Sequence, residues 1–445
     1  MPDINIYCSD YNGIIRPMHG VNNGPTRISS YEGRGNFDWF SDLNIPFVRN
    51  HDASLSEAYG SQHVVDVHCI FPNFDRDPAD STAYDFKITD YYTETIINTG
   101  ARVFYRLGAS IEHWVNKYGT RKPPDFDKWV DICEHIIMHY TEGWANGFSY
   151  DIDYWEIWNE PDLDPDDSKN KRTWGGTKAE FFDLYEVAAK RLKARFPKKK
   201  IGGPALAGKE EWADDFLEAM RNRNVPIDFF SWHVYSTDPR MISRKSERIR
   251  AIMQKHGYGD AESILNEWNY VSDWTKPLHY LSVIKGLKGA SFSCAVMCEM
   301  QTKSDAASLM YYDARVEKTW NGLFDSDTLL PIKGYYAFKA FSELYQTGQS
   351  VRMEYNDTQI YASAARSTNR VAVLLTNYAD EEPAPKQICM KLEGLDAKAD
   401  RCAEIYTVSE TNNLELLEKR PVVDSGIQLT IPAYHIYLLI VDLDT

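Results

Sequence analysis

The chain has 445 residues, 43% of them hydrophobic and 13% aromatic, which is too long for one ordinary core and calls for a large domain plus a smaller one. Its formal charge of −16 excludes the broad basic surfaces that nucleic acid and anionic membranes require. No apolar run reaches about 18 residues, so no transmembrane helix is expected.

The opening "MPDINIYCSDYNG" has neither the basic nor the apolar region of a signal peptide. That fits a cytoplasmic enzyme, or a secreted or periplasmic one whose signal has been removed. Its "DINIYC" alternates like a strand. Eight continuous apolar runs then follow: "NGIIRPMHGV", "NIPFVRNHD", "ARVFYRLGAS", "DYWEIWNEP", "KIGGPAL", "DFFSWHVY", "ESILNEW" and "ASFSCAVMCEM". Continuous rather than alternating runs predict parallel strands buried on both faces. Amphipathic stretches separate them. In "DKWVDICEHIIMHY", Trp129, Cys133, Ile136, Ile137 and Tyr140 share one stripe, and "KAEFFDLYEVAAKRLKARF" carries its basic residues in its last turns, as the helix dipole favours. Strand–helix alternation repeated eight times predicts an α/β fold, a (β/α)8 TIM barrel.

"PIKGYYAFKAFSELYQTG" reads as the eighth helix, ended by Gly348. From about Ser350 short strands and turns replace the alternation, predicting an accessory antiparallel β-sandwich. The expected division is a barrel over 14–348 and a sandwich over 349–445, joined by an N-terminal strand within 1–13. The seven cysteines are an odd number, widely spaced and without a C-x-x-C pair, so neither a zinc ribbon nor a redox motif is expected. Cys294 and Cys298 read as small residues in a core strand.

In such barrels the C-terminal ends of the strands carry the chemistry. Glu160 closes the fourth run and Glu267 the seventh, and these strands face each other across the mouth. Two carboxylates converging there match what glycosidic bond cleavage requires: one protonates the leaving oxygen and the other attacks the anomeric carbon or activates water. Each glutamate follows an asparagine. Pro161 cannot extend the sheet and is expected to push Glu160 into extended geometry at the barrel lip. In the loop after the second strand, Asp75 and Asp77 read equally as sugar-hydroxyl acceptors or as a solvated acidic turn. A metal-dependent barrel hydrolase would want His-x-His on the first strand, where only His19 stands, so no metal and no cofactor are expected. A non-catalytic carbohydrate-binding barrel would not need both glutamates.

"WNEP" after strand four with "NEW" after strand seven resembles the large clan of retaining (β/α)8 glycosidases. With "MHGVNNGP", "VRNHD", "SWHVY" and "YYDARVEKTWNGLF", the chain more specifically resembles glycoside hydrolase family 39, over most of residues 14–348. Family members include β-xylosidases and α-L-iduronidases and pair the barrel with a β-sandwich. The resemblance implies Glu160 as general acid/base, Glu267 as nucleophile, and Asn159 as a hydrogen-bonding partner of the sugar 2-OH. It implies that Tyr235 holds the nucleophile and that Arg49 and His51 contact the sugar or Glu267. His233 and Tyr235, two apart on a strand, share a face. Trp268 and Trp320 are candidates for a stacking wall. Arg49 and Tyr235 are expected to lower the pKa of Glu267, and an apolar surround with a nearby anion to raise that of Glu160.

The implied substrate is an oligosaccharide or polysaccharide-derived glycoside, a β-xyloside first, and the long loops after strands two and eight, which could close a pocket, point to exo cleavage. An arabinoside or galactoside stays open, and so does an α-L-iduronide, whose carboxylate Lys303, Arg315 and Lys318 could hold. The sequence leaves a homo-oligomer open.

Overall fold

The computed structural model describes residues 3–25, 27–29, 34–52, 63–316, 319–395, 401–422 and 426–443. Eight parallel strands close into a barrel: Gly20–Asn22, Phe47–Asn50, Arg102–Leu107, Tyr154–Ile157, Lys200–Leu206, Phe229–Ser236, Glu262–Tyr270 and Ser308–Tyr311. Helices fill the connections. Phe126–Glu142 buries the predicted stripe of Trp129, Cys133, Ile136, Ile137 and Tyr140, and ends at Gly143, whose φ of 75° is the left-handed C-cap that glycine permits. Lys178–Arg195 starts at a capping box, Thr177 with Glu180.

The barrel interior is layered. At its N-terminal end Phe47, Phe104, Tyr154, Phe229, Ile264 and Met310 form an apolar plug. Two residues further along four of these strands stand Arg49, Arg106, Glu156 and Ser231, all wholly buried. Period two carries the polar layer up to His51 and His233 at the mouth. The plug closes the barrel from below, so the open end is where these groups meet solvent.

The last strand is not where the apolar runs place it. "ASFSCAVMCEM" belongs to the helix Leu287–Lys303, and the eighth strand is the short Ser308–Tyr311. Cys294 and Cys298 are therefore helical, one turn apart and buried. The helix buries residues on every side because a second sheet covers its outer face: Ser291 Oγ lies 2.7 Å from Thr376 Oγ1. A helix without a polar face has no 3.6-residue signature, so it reads as a buried strand.

That second sheet has nine strands. The strand Arg370–Asn377, next to the middle one, is buried on both faces. Ala372 and Leu374 join the barrel-side core, while Val371, Val373 and Leu375 join a separate core with Ile388, Met390 and Leu439. The N-terminal strand Asp3–Ile14 lies inside this sheet, antiparallel to Gln349–Glu354 and parallel to Lys386–Glu393. The helix Lys333–Thr347 ends at Gly348 before the sheet begins.

Candidate active site

Two irregularities at strand ends aim the glutamates. The pairing of Glu262–Tyr270 with Phe229–Ser236 runs Leu265 to Trp232 and then Glu267 to His233, so Asn266 is an extra residue, a bulge. The bulge lets Asn266 and Glu267 both reach the barrel interior. Asn266 Nδ2 donates to Glu156, and Glu267 meets Arg49. Trp268 then points outward against Tyr311, ring centroids 5.3 Å apart, and is wholly buried. Trp268 is therefore no part of a sugar-stacking wall.

On the opposite side the chain leaves the fourth strand through left-handed backbone, with φ of 75° at Trp158 and 48° at Glu160. The extended geometry expected of a residue before proline is overridden. Two hydrogen bonds hold the conformation: Glu160 N–H donates to Ala205 O at 2.8 Å, and Thr173 Oγ1 donates to Glu160 O at 2.6 Å. Strained non-glycine backbone of this kind persists only where its surroundings impose it. Gly108 makes room for the turn: a Cβ there, at φ +120°, would sit 2.8 Å from the Trp158 ring.

The two carboxylates meet at His233. Its Nδ1 lies 2.8 Å from Glu160 Oε1 and 3.4 Å from Glu267 Oε2. A carboxylate oxygen of each glutamate and a His233 ring nitrogen all lie within 4.8 Å of one another. These three groups could reach a common cation, as could Asp66, His68 and Cys69. At the first of these sites, though, Arg49 already supplies the positive charge at 2.9 Å from Glu267 Oε1.

Arg49 is the hub of the layer beneath. Its Nε donates to Glu156 Oε2 at 2.7 Å, its Nη1 to Glu267 Oε1 and to Asn22 Oδ1 at 3.0 Å, and its Nη2 to Asn159 Oδ1 at 2.7 Å. This fixes the Asn159 amide with its oxygen downward. Glu156 balances the guanidinium and also accepts from Ser231 Oγ at 2.6 Å. Tyr235 OH donates to Glu267 Oε2 at 2.9 Å. Arg106 Nε donates to His51 Nδ1 at 3.1 Å, so neutral His51 carries its proton on Nε2, which lies 3.4 Å from Glu267 Oε1 and 3.2 Å from Asp52 Oδ1.

Burial dominates the electrostatics. It pushes Glu160 up to about 8, helped by Asp162, and Glu267 up to about 7, helped by Glu160. Arg49 and His233 pull Glu267 down but do not offset its desolvation, so the expected net depression of its pKa does not occur. The order survives. Glu267 has Arg49 and Tyr235 on its oxygens, whereas Glu160 has His233 and an acidic neighbour. Burial also keeps His233 neutral, pushed down to about 4.

The aromatic wall differs from the expected one. Trp320 is present, its ring 5.6 Å from Tyr235, and its companion is Trp274, 5.2 Å from Tyr235 and 60% exposed. Asn269 pins the loop that carries Trp320, donating to Tyr312 O at 2.5 Å and to Trp320 O at 3.3 Å. Asp75 and Asp77 stand on an exposed turn where Asp77 Oδ1 accepts from Ala79 N. Lys303 lines a cleft with Arg240 and Tyr355 that neither glutamate lines. Arg315 donates to Asp52 O at 2.8 Å, and Lys318 lies outside the described residues.

Glu156, Asp52, Asp162 and Trp274 were not singled out from sequence. Glu156 carried a signal, a lone carboxylate within an apolar strand two residues beyond an inward aromatic. The others sit in loops with no periodicity to read.

Residues 38–268 match the family model described as glycosyl hydrolases, family 39. The chain belongs to glycosyl hydrolases family 39. Among relatives of this family 39 chain, a protein named beta-xylosidase from Geobacillus stearothermophilus is 30% identical over 269 residues, 53% of this chain and 49% of that protein. One of the same name from Caldicellulosiruptor saccharolyticus is 31% identical over 166 residues, 35% of this chain and 32% of that protein. The chain thus spans half or less of the length of these curated relatives. In fold it is similar to a glucosidase from Croceicoccus marinus, with a TM-score of 0.80 at 19% identity over 99% of each chain. It is also similar to a monomeric beta-xylosidase from Caulobacter crescentus CB15, at 0.72 and 16% over 99% of each.

Proposed function

We propose that the protein is a retaining glycoside hydrolase that removes β-xylosyl units from the ends of oligosaccharides. The observation that carries the reading is the approach of the Glu160 and Glu267 oxygens to within 4.8 Å. Retaining enzymes place their carboxylates about 5–5.5 Å apart, whereas inverting ones leave about 6.5–9.5 Å for a water. The relatives named beta-xylosidase support the choice of sugar.

The chemistry then runs in two displacements. Ionised Glu267 attacks the anomeric carbon. The bond to the leaving oxygen breaks, and that oxygen takes the Glu160 proton. With Glu267 esterified, its charge is gone and Glu160 becomes a stronger acid. As its carboxylate, Glu160 takes a proton from water, the water oxygen bonds to the anomeric carbon, and the ester bond to Glu267 breaks. Arg49, by holding the Asn159 oxygen, turns the amide NH2 toward the sugar 2-OH, a contact that strengthens in an oxocarbenium-like transition state.

An α-L-iduronide is disfavoured. Lys303 lines a cleft that neither glutamate lines, and the Arg315 guanidinium is engaged by the Asp52 carbonyl beside Asp313. A panel of aryl glycosides varied in sugar and anomer tests the reading, with the first-formed anomer followed by NMR. Turnover of aryl β-xyloside with retained configuration is expected. Turnover of a polysaccharide without any aryl glycoside would overturn the exo assignment.

A further inference from the structure

The chain is acidic overall, yet one groove on it is basic. Lys117, Arg121, Lys122, Lys169 and Lys171 line a groove of about 600 Å³ with Asp166 as its acidic member. Among the described ion pairs, Lys122 is engaged by Glu180 and Lys171 stands 4.0 Å from Asp166, while Lys117, Arg121 and Lys169 enter none. Lys117 donates to the Glu112 and Trp114 carbonyls, which leave its charge uncompensated, and a protein with a formal charge of −16 that gathers such cations in one place creates a local field that selects anions.

The position of the groove says which part of a substrate would meet it. Its walls are the loops after the third and fourth barrel strands, and these loops are stitched together: Gly175 N–H donates to Thr120 O at 2.6 Å and Glu112 N–H to Arg172 O at 2.8 Å. The second loop begins at Glu160 and is tied to it through Thr173. Arg121 and Lys122 also line an adjoining cavity of about 710 Å³, where Trp114 and Tyr118 are 64% and 69% exposed. Arg121 lies 5.9 Å from the Tyr118 ring centroid, and exposed aromatics beside an arginine without a carboxylate partner are what a sugar ring with a negative substituent would use. In a retaining glycosidase the leaving group departs on the side of the acid/base, away from the nucleophile.

We infer that these two loops form the leaving-group subsites and that they take a saccharide carrying a uronate carboxylate. Trp114 and Tyr118 would stack on the sugar, and Arg121 and Lys169 would hold the carboxylate. The inference rests on the glycosidase reading above.

The test compares a xylo-oligosaccharide bearing a glucuronate next to the scissile bond with its neutral counterpart, a sulfated counterpart and an aryl β-xyloside. About a tenfold higher kcat/KM for the glucuronate substrate is expected, from two exposed cations acting together. The advantage should vanish in R121Q/K169Q and at high salt, with aryl xyloside turnover and melting temperature unchanged in the variant. Equal rates on acidic and neutral substrates, a preference that survives the double substitution, or a preference for sulfate alone would overturn it. If the aryl xyloside is not cleaved, the exo-xylosidase reading fails by itself. The groove is then judged by calorimetry with trigalacturonate: binding lost in the variant supports it, and no binding overturns it.

Discussion

Arg49 Nη1 donates to Glu267 Oε1 at 2.9 Å, with the guanidinium wholly buried. The same group neutralises Glu156 and orients Asn159, so one cation links the proposed nucleophile, the proposed 2-OH contact and the barrel interior. Replacing it removes more than a charge. Arg49→Met leaves Glu156 and Glu267 uncompensated, and breaking a buried pair from one side costs about 3–5 kcal/mol. We expect the melting temperature to fall and the acid limb of kcat/KM to move to higher pH. Arg49→Met/Glu156→Gln should recover part of the stability without recovering activity. Unchanged stability in the single variant would contradict the hub role.

The two glutamates are separable by azide. Glu160→Ala still forms the covalent intermediate from an activated substrate, and azide in the vacated space should release a glycosyl azide of retained configuration. In Glu267→Ala azide attacks directly and should give the inverted product. Losing the acid/base costs typically 10²–10⁴-fold, most for poor leaving groups. NMR of the azide products checks the assignment, and opposite stereochemistry would exchange the two roles.

The pH profile follows from the same pair. Glu267 must be ionised, so activity falls as pH drops through about 7, and Glu160 must be protonated, so it falls again as pH rises through about 8. A narrow bell is expected, and Glu160→Gln should lose the alkaline limb on activated substrates. For stability, both carboxyls lie above their unfolded value of about 4.3. The folded state therefore holds protons that the unfolded state has released. The associated stability is full below about pH 4 and is lost as pH rises through about 7 and then 8. Thermal melts of wild type and Glu160→Gln/Glu267→Gln between pH 5 and 9 should diverge, with the variant gaining at the alkaline end.

Gly108→Ala tests the turn at Glu160, the proposed acid/base. A Cβ would meet the Trp158 ring at 2.8 Å, and a φ of +120° strains any other residue. Overpacking typically costs about 1–3 kcal/mol. Lower stability should accompany lower kcat, because Trp158 leads directly into Glu160. A fully active, fully stable variant would show that the turn tolerates displacement.

At the aromatic wall, Trp274 is 60% exposed and edges onto Tyr235. Trp274→Ala should raise KM about fivefold, as expected for the loss of about 1 kcal/mol of aromatic contact, with kcat and melting temperature little changed. A fall in kcat with KM constant would place Trp274 with the reacting groups instead.

What was legible in the sequence follows the physics of each element. The strands ending at Asn50, Leu107 and Ile157 are short, continuous and punctuated by loops, so their runs stand out. The helix Leu287–Lys303 was misread because two layers cover it and no polar face survives to mark its period. The positions of Glu160 and Glu267 could be read because each interrupts an apolar run at a strand end. The outward face of Trp268 was hidden by the bulge at Asn266, which lets two consecutive residues serve the interior before alternation resumes. The left-handed turn at Glu160 was not legible, since local preference before a proline argues for the opposite and only the contacts with Ala205 and Thr173 decide it.

The placement of Asp3–Ile14 between Gln349–Glu354 and Lys386–Glu393 orders events during synthesis. This strand leaves the ribosome before the barrel, and both its partners leave after it. Until more than 300 residues have followed, its backbone groups have no ladder to join. The barrel can close in that interval, but the second sheet cannot, because its other strands all lie at or beyond Gln349. The last step of folding is then the capture of an early strand by late ones, a closure over long sequence separation that is intrinsically slow. A chain stalled near residue 350 would present a nearly finished barrel with an unclaimed strand edge, the kind of surface that chaperones hold and that aggregates recruit.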